Sequence, residues 1–131
     1  MYTGWDNPLY HYQQSNNAGT AIDFYSYTMR KGLLGWAEYF DGSDRPISLN
    51  GEAPKINYHW SKVTLNMMYK GNTVMTNGTV ARHEIGHALG LAHITVNDNS
   101  CIMKPCFALD ANIRVDKGSS DKLIDIYGWN W

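Results

Sequence analysis

An α+β fold is predicted by three features of the chain. Segments with the two-residue alternation of strands, residues 21–29 and 62–69, come first. A run with helical spacing, residues 80–90, follows them and stops at a glycine. A shorter helical pattern closes the chain, so strands precede helices rather than alternating with them. With 131 residues the chain has the size of one domain, commonly ~100–150 residues.

The elements follow in order. Residues 1–20 are polar and rich in Asn and Gln around a short strand candidate, Leu9-Tyr10-His11-Tyr12. Residues 21–29 read as a strand. Residues 32–40 suit a strand or a helix, and Gly32, Gly35 and the aromatic side chains favour an extended edge segment. Residues 41–57 hold Asp-Gly, Arg-Pro, Asn-Gly and Ala-Pro pairs and read as a turn-rich loop. Residues 62–69 carry the clearest strand pattern. Thr76, Asn77 and Thr79 then offer N-caps to a helix over 80–90. Residues 94–118 read as irregular loop, and Ser119, Ser120 and Asp121 begin a last helix through Ile126 that Gly128 ends.

Composition excludes several classes. A 44% hydrophobic chain with nine Tyr, five Trp and three Phe is not an acidic disordered segment. A net charge of −1 provides no basic surplus for a polynucleotide backbone, so no nucleic-acid partner is expected. No apolar run reaches the ~18–20 residues of a membrane span, and no membrane partner is expected. The first residues lack the basic and apolar regions of a signal peptide.

Three of the five histidines fall within eleven residues, His83-Glu84-Ile85-Gly86-His87-Ala88-Leu89-Gly90-Leu91-Ala92-His93. On a helix His83 and His87 are four residues apart, so both imidazoles leave one face and can bind one ion. Glu84 is offset from that face, placed to reach a water on the metal without being a ligand. His93 rejoins the pair only if the chain bends sharply, and Gly90 tolerates the positive φ of such a bend. Three neutral nitrogens leave the fourth position of Zn2+ to water, the catalytic arrangement. One catalytic zinc ion is therefore the expected cofactor. Zinc would lower the pKa of that water to around 7, with Glu84 as general base and then as acid to the leaving amine. A bare pair of histidines arises by chance in helices, and lone residues such as His11 and His59 read as surface or hydrogen-bonded. Five fixed identities over eleven positions are not a packing requirement.

At this point the chain resembles the metzincin clan of zinc endopeptidases, whose His-Glu-x-x-His-x-x-Gly-x-x-His signature is complete at 83–93. Cys101-Ile102-Met103-Lys104-Pro105 resembles the clan's Met-turn, with Met103 below the metal. Leu34-Gly35-Trp36-Ala37 resembles the substrate-binding edge strand of bacterial matrixin-like members. Val63-Thr64-Leu65-Asn66 resembles their strand before the zinc helix, and Ile126-Tyr127-Gly128 the end of their last helix. The resemblance implies a small metzincin-like catalytic domain over 1–131, with a twisted mixed sheet and active-site helix in 1–93 and the Met-turn and last helix in 94–131. It implies a zinc endopeptidase whose extended peptide or protein substrate adds antiparallel to Gly35, Trp36 and Ala37. Pro105 and Phe107 would line the pocket after the scissile bond. A monomer is expected. Three departures stand beside this: Trp5 and Leu9-Tyr10 resemble the end of the family's first helix and the next strand, so its first elements are not matched. Ile94 follows the third histidine where matrixins tend to have Ser, and there is no inhibitory Cys segment or second His/Asp cluster.

Two other functions compete. A three-histidine metal endoribonuclease would share the ligand spacing but generally lacks the Glu after the first His. A non-catalytic zinc-binding interaction module would let that Glu position decay, and Glu84 is intact. Cys101 and Cys106 bracket the turn and are expected to close a short disulfide if their Cα atoms lie ~4.4–6.8 Å apart, two free thiols being the alternative. With that bridge and the family, a secreted protein is expected. Asp121 and Asp125 read as a helix cap and a solvated face, Trp36 as core or cleft wall, and Tyr127 as a packing residue, an oxyanion donor at the site being the alternative.

Overall fold

The computed structural model describes residues 21–47, 54, 56–95 and 98–127. The strand candidate at 9–12, Trp5 and the helix stop at Gly128 lie outside the described residues. Among these residues three strands form one mixed sheet: β1 (Ile22–Tyr27), β2 (Gly35–Phe40) and β3 (Trp60–Asn66), in the order β1-β3-β2. β1 runs parallel to β3 with Ile22 opposite Ser61, and β2 antiparallel with Gly35 opposite Leu65. The central place of β3 explains why its pattern was the clearest, since Ser61, Val63, Thr64 and Asn66 are all buried. β2 takes the extended edge position that its glycines favoured.

Residues 62–69 were expected to stay extended to Tyr69, but the strand ends at Asn66 and Met67–Tyr69 form a 3-10 turn. Asn66 is the cause. Its Oδ1 accepts the N–H of Met68 at 3.0 Å and of Met29 at 2.9 Å, and its Nδ2 donates to the carbonyls of Arg30 (3.1 Å) and Leu33 (2.6 Å). Both lone pairs and both hydrogens of a wholly buried amide are thus used. That amide fixes the loop leading into β2.

Strand alternation divides the sheet into two faces. Gly35, Tyr39, Ser61 and Val63 point toward the helix α2 (Thr79–Ala88). The opposite face carries Tyr25 and Tyr27, whose rings stack at 6.0 Å, and Phe40 stacked on Trp60 at 4.1 Å. Lys62 lies 4.8 Å over Tyr25 and 4.0 Å from Glu38.

A four-residue helix, α1 (Thr73–Thr76), precedes α2 and was not expected, being too short to show periodicity. At the start of α2, Gly78 holds the cap position at φ +81°, and Asn77 Oδ1 accepts the Thr79 N–H at 2.9 Å. Arg82 donates from Nη2 and Nε to the carbonyl of Ile113 (2.8 and 3.0 Å) and from Nη1 to that of Asn77 (3.0 Å). The irregular segment before the last helix is pinned to α2 in this way. That helix, α3 (Lys117–Tyr127), begins two residues before the expected Ser119, because Asp116 caps it: Oδ2 accepts the Ser119 N–H at 3.0 Å. The core lies between α2, the 101–103 turn and α3, where Leu91, Cys101, Ile102, Met103 and Leu123 pack together.

Candidate metal centre

α2 ends in a Schellman motif. Gly90 sits at φ +100°, its N–H donates to the carbonyl of His87 (2.8 Å), and the Leu91 N–H donates to that of Gly86 (2.9 Å). The turn reverses the chain and brings His93 back to the helix face, as the sequence required of Gly90. The last carbonyls of α2 then find side-chain donors: Tyr39 reaches His87, Tyr58 and Ser61 reach Ala88, and Tyr127 reaches Leu89. Tyr127, 41% exposed, commits its hydroxyl to this helix end.

The Nε2 atoms of His83, His87 and His93 form a triangle with all three sides 3.1 Å. His83 Nδ1 lies 2.7 Å from the carbonyl of Ile102, and His87 Nδ1 lies 2.8 Å from that of Leu91. A carbonyl can only accept, so both Nδ1 atoms carry hydrogen and both Nε2 atoms of the neutral rings present lone pairs. Burial, outweighing the Ile102 contact, pushes the His83 pKa down to about 3, which keeps that ring neutral. Two lone pairs facing each other at 3.1 Å are unfavourable without a cation between them. Zinc bound tetrahedrally at ~2.0–2.1 Å would separate its nitrogens by about 3.3–3.4 Å, close to what is observed. The three histidines could hold a metal ion.

Glu84 is 5% exposed, and burial raises its pKa to about 8. A carboxyl in such surroundings favours a nearby cation. Its side chain lies against Gly35 on β2, where a Cβ would come within 2.8 Å of Glu84 Cγ and Oε1. The glycine at that position therefore makes room for the carboxyl. Together these residues line a cleft of about 260 Å3, with Trp36, Ala37, Pro105, Cys106 and Phe107 in its walls. Trp36 is cleft wall and 49% exposed. Phe107 meets the His83 ring edge-on at 5.1 Å.

The turn at 101–104 supports the centre from below. Its Ile102 carbonyl accepts from His83, and its Met103 carbonyl accepts the Ile94 N–H at 3.0 Å, next to His93. Met103 is 2% exposed under α2, where only the absent side chain of Gly86 leaves space for its Sδ. The turn is held in turn by Asp116, whose Oδ1 accepts from Ile102 N–H and Ser119 Oγ, both at 2.9 Å. Burial opposes the charge on Asp116, but these hydrogen bonds outweigh it and hold its pKa below the ordinary carboxylate value. Asp116 is a residue the sequence reading missed. The available signal was an Asp three places before Ser119, the spacing of a helix cap.

The expected disulfide does not form: Cys101 and Cys106 are both free. Cys101 faces the core, its Sγ 3.7 Å from Ser119 Oγ, whereas Cys106 is exposed in the cleft wall. Thiol titration should accordingly find one reactive thiol in the folded protein and two after unfolding without reductant. None after unfolding would restore the bridge.

A model of the matrixin family matches residues 10–128. Neither a curated protein nor a solved structure matches the chain significantly.

Proposed function

This chain belongs to the matrixin family, and from that premise we propose that it is a zinc-dependent endopeptidase cutting extended polypeptides, with Glu84 as its general acid and base. The observation that carries the reading is the triangle of imidazole nitrogens with a buried carboxyl beside it. His83, His87 and His93 would hold a zinc ion, which when bound would supply a Lewis acid and lower the pKa of water to near 7. Glu84 takes the proton from the attacking water and returns it to the leaving amine nitrogen. Its burial keeps bulk water from competing for that proton.

The substrate is a peptide or protein in extended form. At the outer edge of β2 the Ile47 N–H donates to the Tyr39 carbonyl at 2.9 Å and Pro46 bridges Phe40, but among the described residues no strand pairs with Gly35, Trp36 and Ala37 on that edge, and that backbone is the one an antiparallel substrate strand would use. The peptide then lies across the cleft, with Pro105 and Phe107 beside the residue after the scissile bond. We take the enzyme to act as a monomer and to be secreted, on family grounds alone. Among the described residues no helix is long and apolar enough to cross a membrane.

The test is cleavage of a diverse mixture of unstructured peptides, read by mass spectrometry, by zinc-loaded and by chelated protein. Cuts that vanish on chelation are expected. A protein holding one zinc and making no cuts would overturn the reading.

Gly35→Ala separates positioning from binding. The added methyl pushes Glu84 aside, and displacements of ~1 Å at a reacting group cost up to about 100-fold. Turnover should fall roughly 10–100-fold with zinc content unchanged, checked by peptide kinetics beside metal analysis. Wild-type turnover would show that the carboxyl has room to spare.

A further inference from the structure

The proposed chemistry makes no use of Tyr39, a phenol 2% exposed between β2 and the end of α2. Its hydroxyl donates to the carbonyl of His87 at 2.6 Å. That carbonyl already accepts the Gly90 N–H at 2.8 Å, so the phenol is not needed to satisfy an orphaned acceptor. What the bond adds is position. O–H···O contacts this short, in surroundings without water, are strong and directional.

The strand it comes from gives the bond further meaning. Tyr39 and Gly35 leave the same face of β2, and Gly35 abuts Glu84. One strand thus touches α2 at both residues that flank the reaction, Glu84 and His87. The His87 ring is fixed at Nδ1 by the Leu91 carbonyl, but that carbonyl belongs to the same turn and moves with it. Tyr39 ties this ligand's own backbone to the sheet. Tyr58 makes a similar bond of 2.8 Å one residue later, to Ala88, which carries no ligand.

We propose that Tyr39 is a positioning residue for the metal centre: its hydroxyl holds the last turn of α2 against β2, so that His87 Nε2 meets those of His83 and His93. The inference rests on the metal-binding reading of the three histidines. Y39F keeps the ring and its edge-on contact with Tyr58 and removes only the hydroxyl.

Two readouts test it without any assay of activity: the zinc dissociation constant, by competition with a chromophoric chelator, and the visible absorption spectrum of the cobalt(II) form. Y39F should weaken zinc binding roughly tenfold, the low end of what supporting residues around a ligand contribute, and alter the cobalt bands. Y58F should leave both at wild-type values. Wild-type affinity and spectrum in Y39F would overturn the proposal, as would equal changes in Y58F, which would mark a general loosening of the helix end. Should Y39F fail to fold, the wild-type protein still decides. Its Tyr39 hydroxyl proton, observed by NMR, should shift on chelation more than that of Tyr58, and no difference would overturn the proposal. Failure of the wild-type protein itself to bind zinc or cobalt would instead remove the metal reading on which the proposal stands.

Discussion

Glu84→Gln is expected to leave the metal bound and the fold intact while lowering turnover by about 10^3-fold, within the ~10²–10⁴ that a positioned acid–base group contributes. The amide has the shape of the carboxyl and fits the same space against Gly35, but it cannot take a proton from water. A loss in kcat with KM little changed is therefore the expected form of the defect. Stability gives a second, independent signature. Burial raises the Glu84 pKa from 4.5 to about 8 in the metal-free site, so the folded state holds its proton where the unfolded chain has released it. Between those two pH values the folded state binds more protons, and wild-type stability falls as pH rises. With metal removed, Glu84→Gln should melt higher than wild type at pH 8, and the advantage should disappear below about pH 4.5. Peptide kinetics, metal analysis and melting curves at several pH values check this. Wild-type turnover in the variant would mean that another group carries the proton.

The metal triangle was legible in the sequence because spacing alone constrains it. Two histidines one helical turn apart share a face, and a third can join them only past a residue free to adopt positive φ, which Gly90 does. Strand β3 was legible for a different reason: it lies between β1 and β2 and buries neighbours on both faces, Val63 and Thr64 among them, so it carries β-branched side chains at both. The supports of the site were not legible, because they come from side chains whose direction the sequence does not encode. Asp121 looked as good a cap as any acidic residue near α3, yet it pairs with Lys117 at 2.6 Å on the surface, while Asp116 holds the turn. Tyr39, Tyr58 and Tyr127 come from three different segments, and nothing in their spacing shows that all end on consecutive carbonyls of α2. The cysteines illustrate the same limit. Five residues of separation permit a bridge, but one thiol faces the core and the other the cleft.

A glycine inside α2 provides the other large effect. Gly86 sits in the middle of the histidine signature, at a position where the motif allows any residue, and helix propensity alone would favour Ala there by about 1 kcal/mol. The packing opposes it. A Cβ at Gly86 would overlap Met103 Sδ, and Met103 is buried between α2 and the core cluster with little space to retreat. Overpacking of this kind costs about 3 kcal/mol at its upper range, so Gly86→Ala should lose roughly 2 kcal/mol net and lower Tm by about 8 °C. The effect extends to the metal site. Met103 gives its carbonyl to Ile94, and the adjoining Ile102 gives its own to His83, so moving the thioether shifts the turn that orients the His83 ring and holds the backbone next to His93. Zinc affinity should fall together with stability. A double-mutant cycle with Met103→Ala isolates the cause. If the overlap is the reason, Gly86→Ala in the Met103→Ala background should be neutral or stabilising, because the methyl then enters the space the thioether has left. An equal loss in both backgrounds would place the cost in the helix rather than in its contact with the turn, and Gly86 would lose its part in seating the methionine beneath the metal.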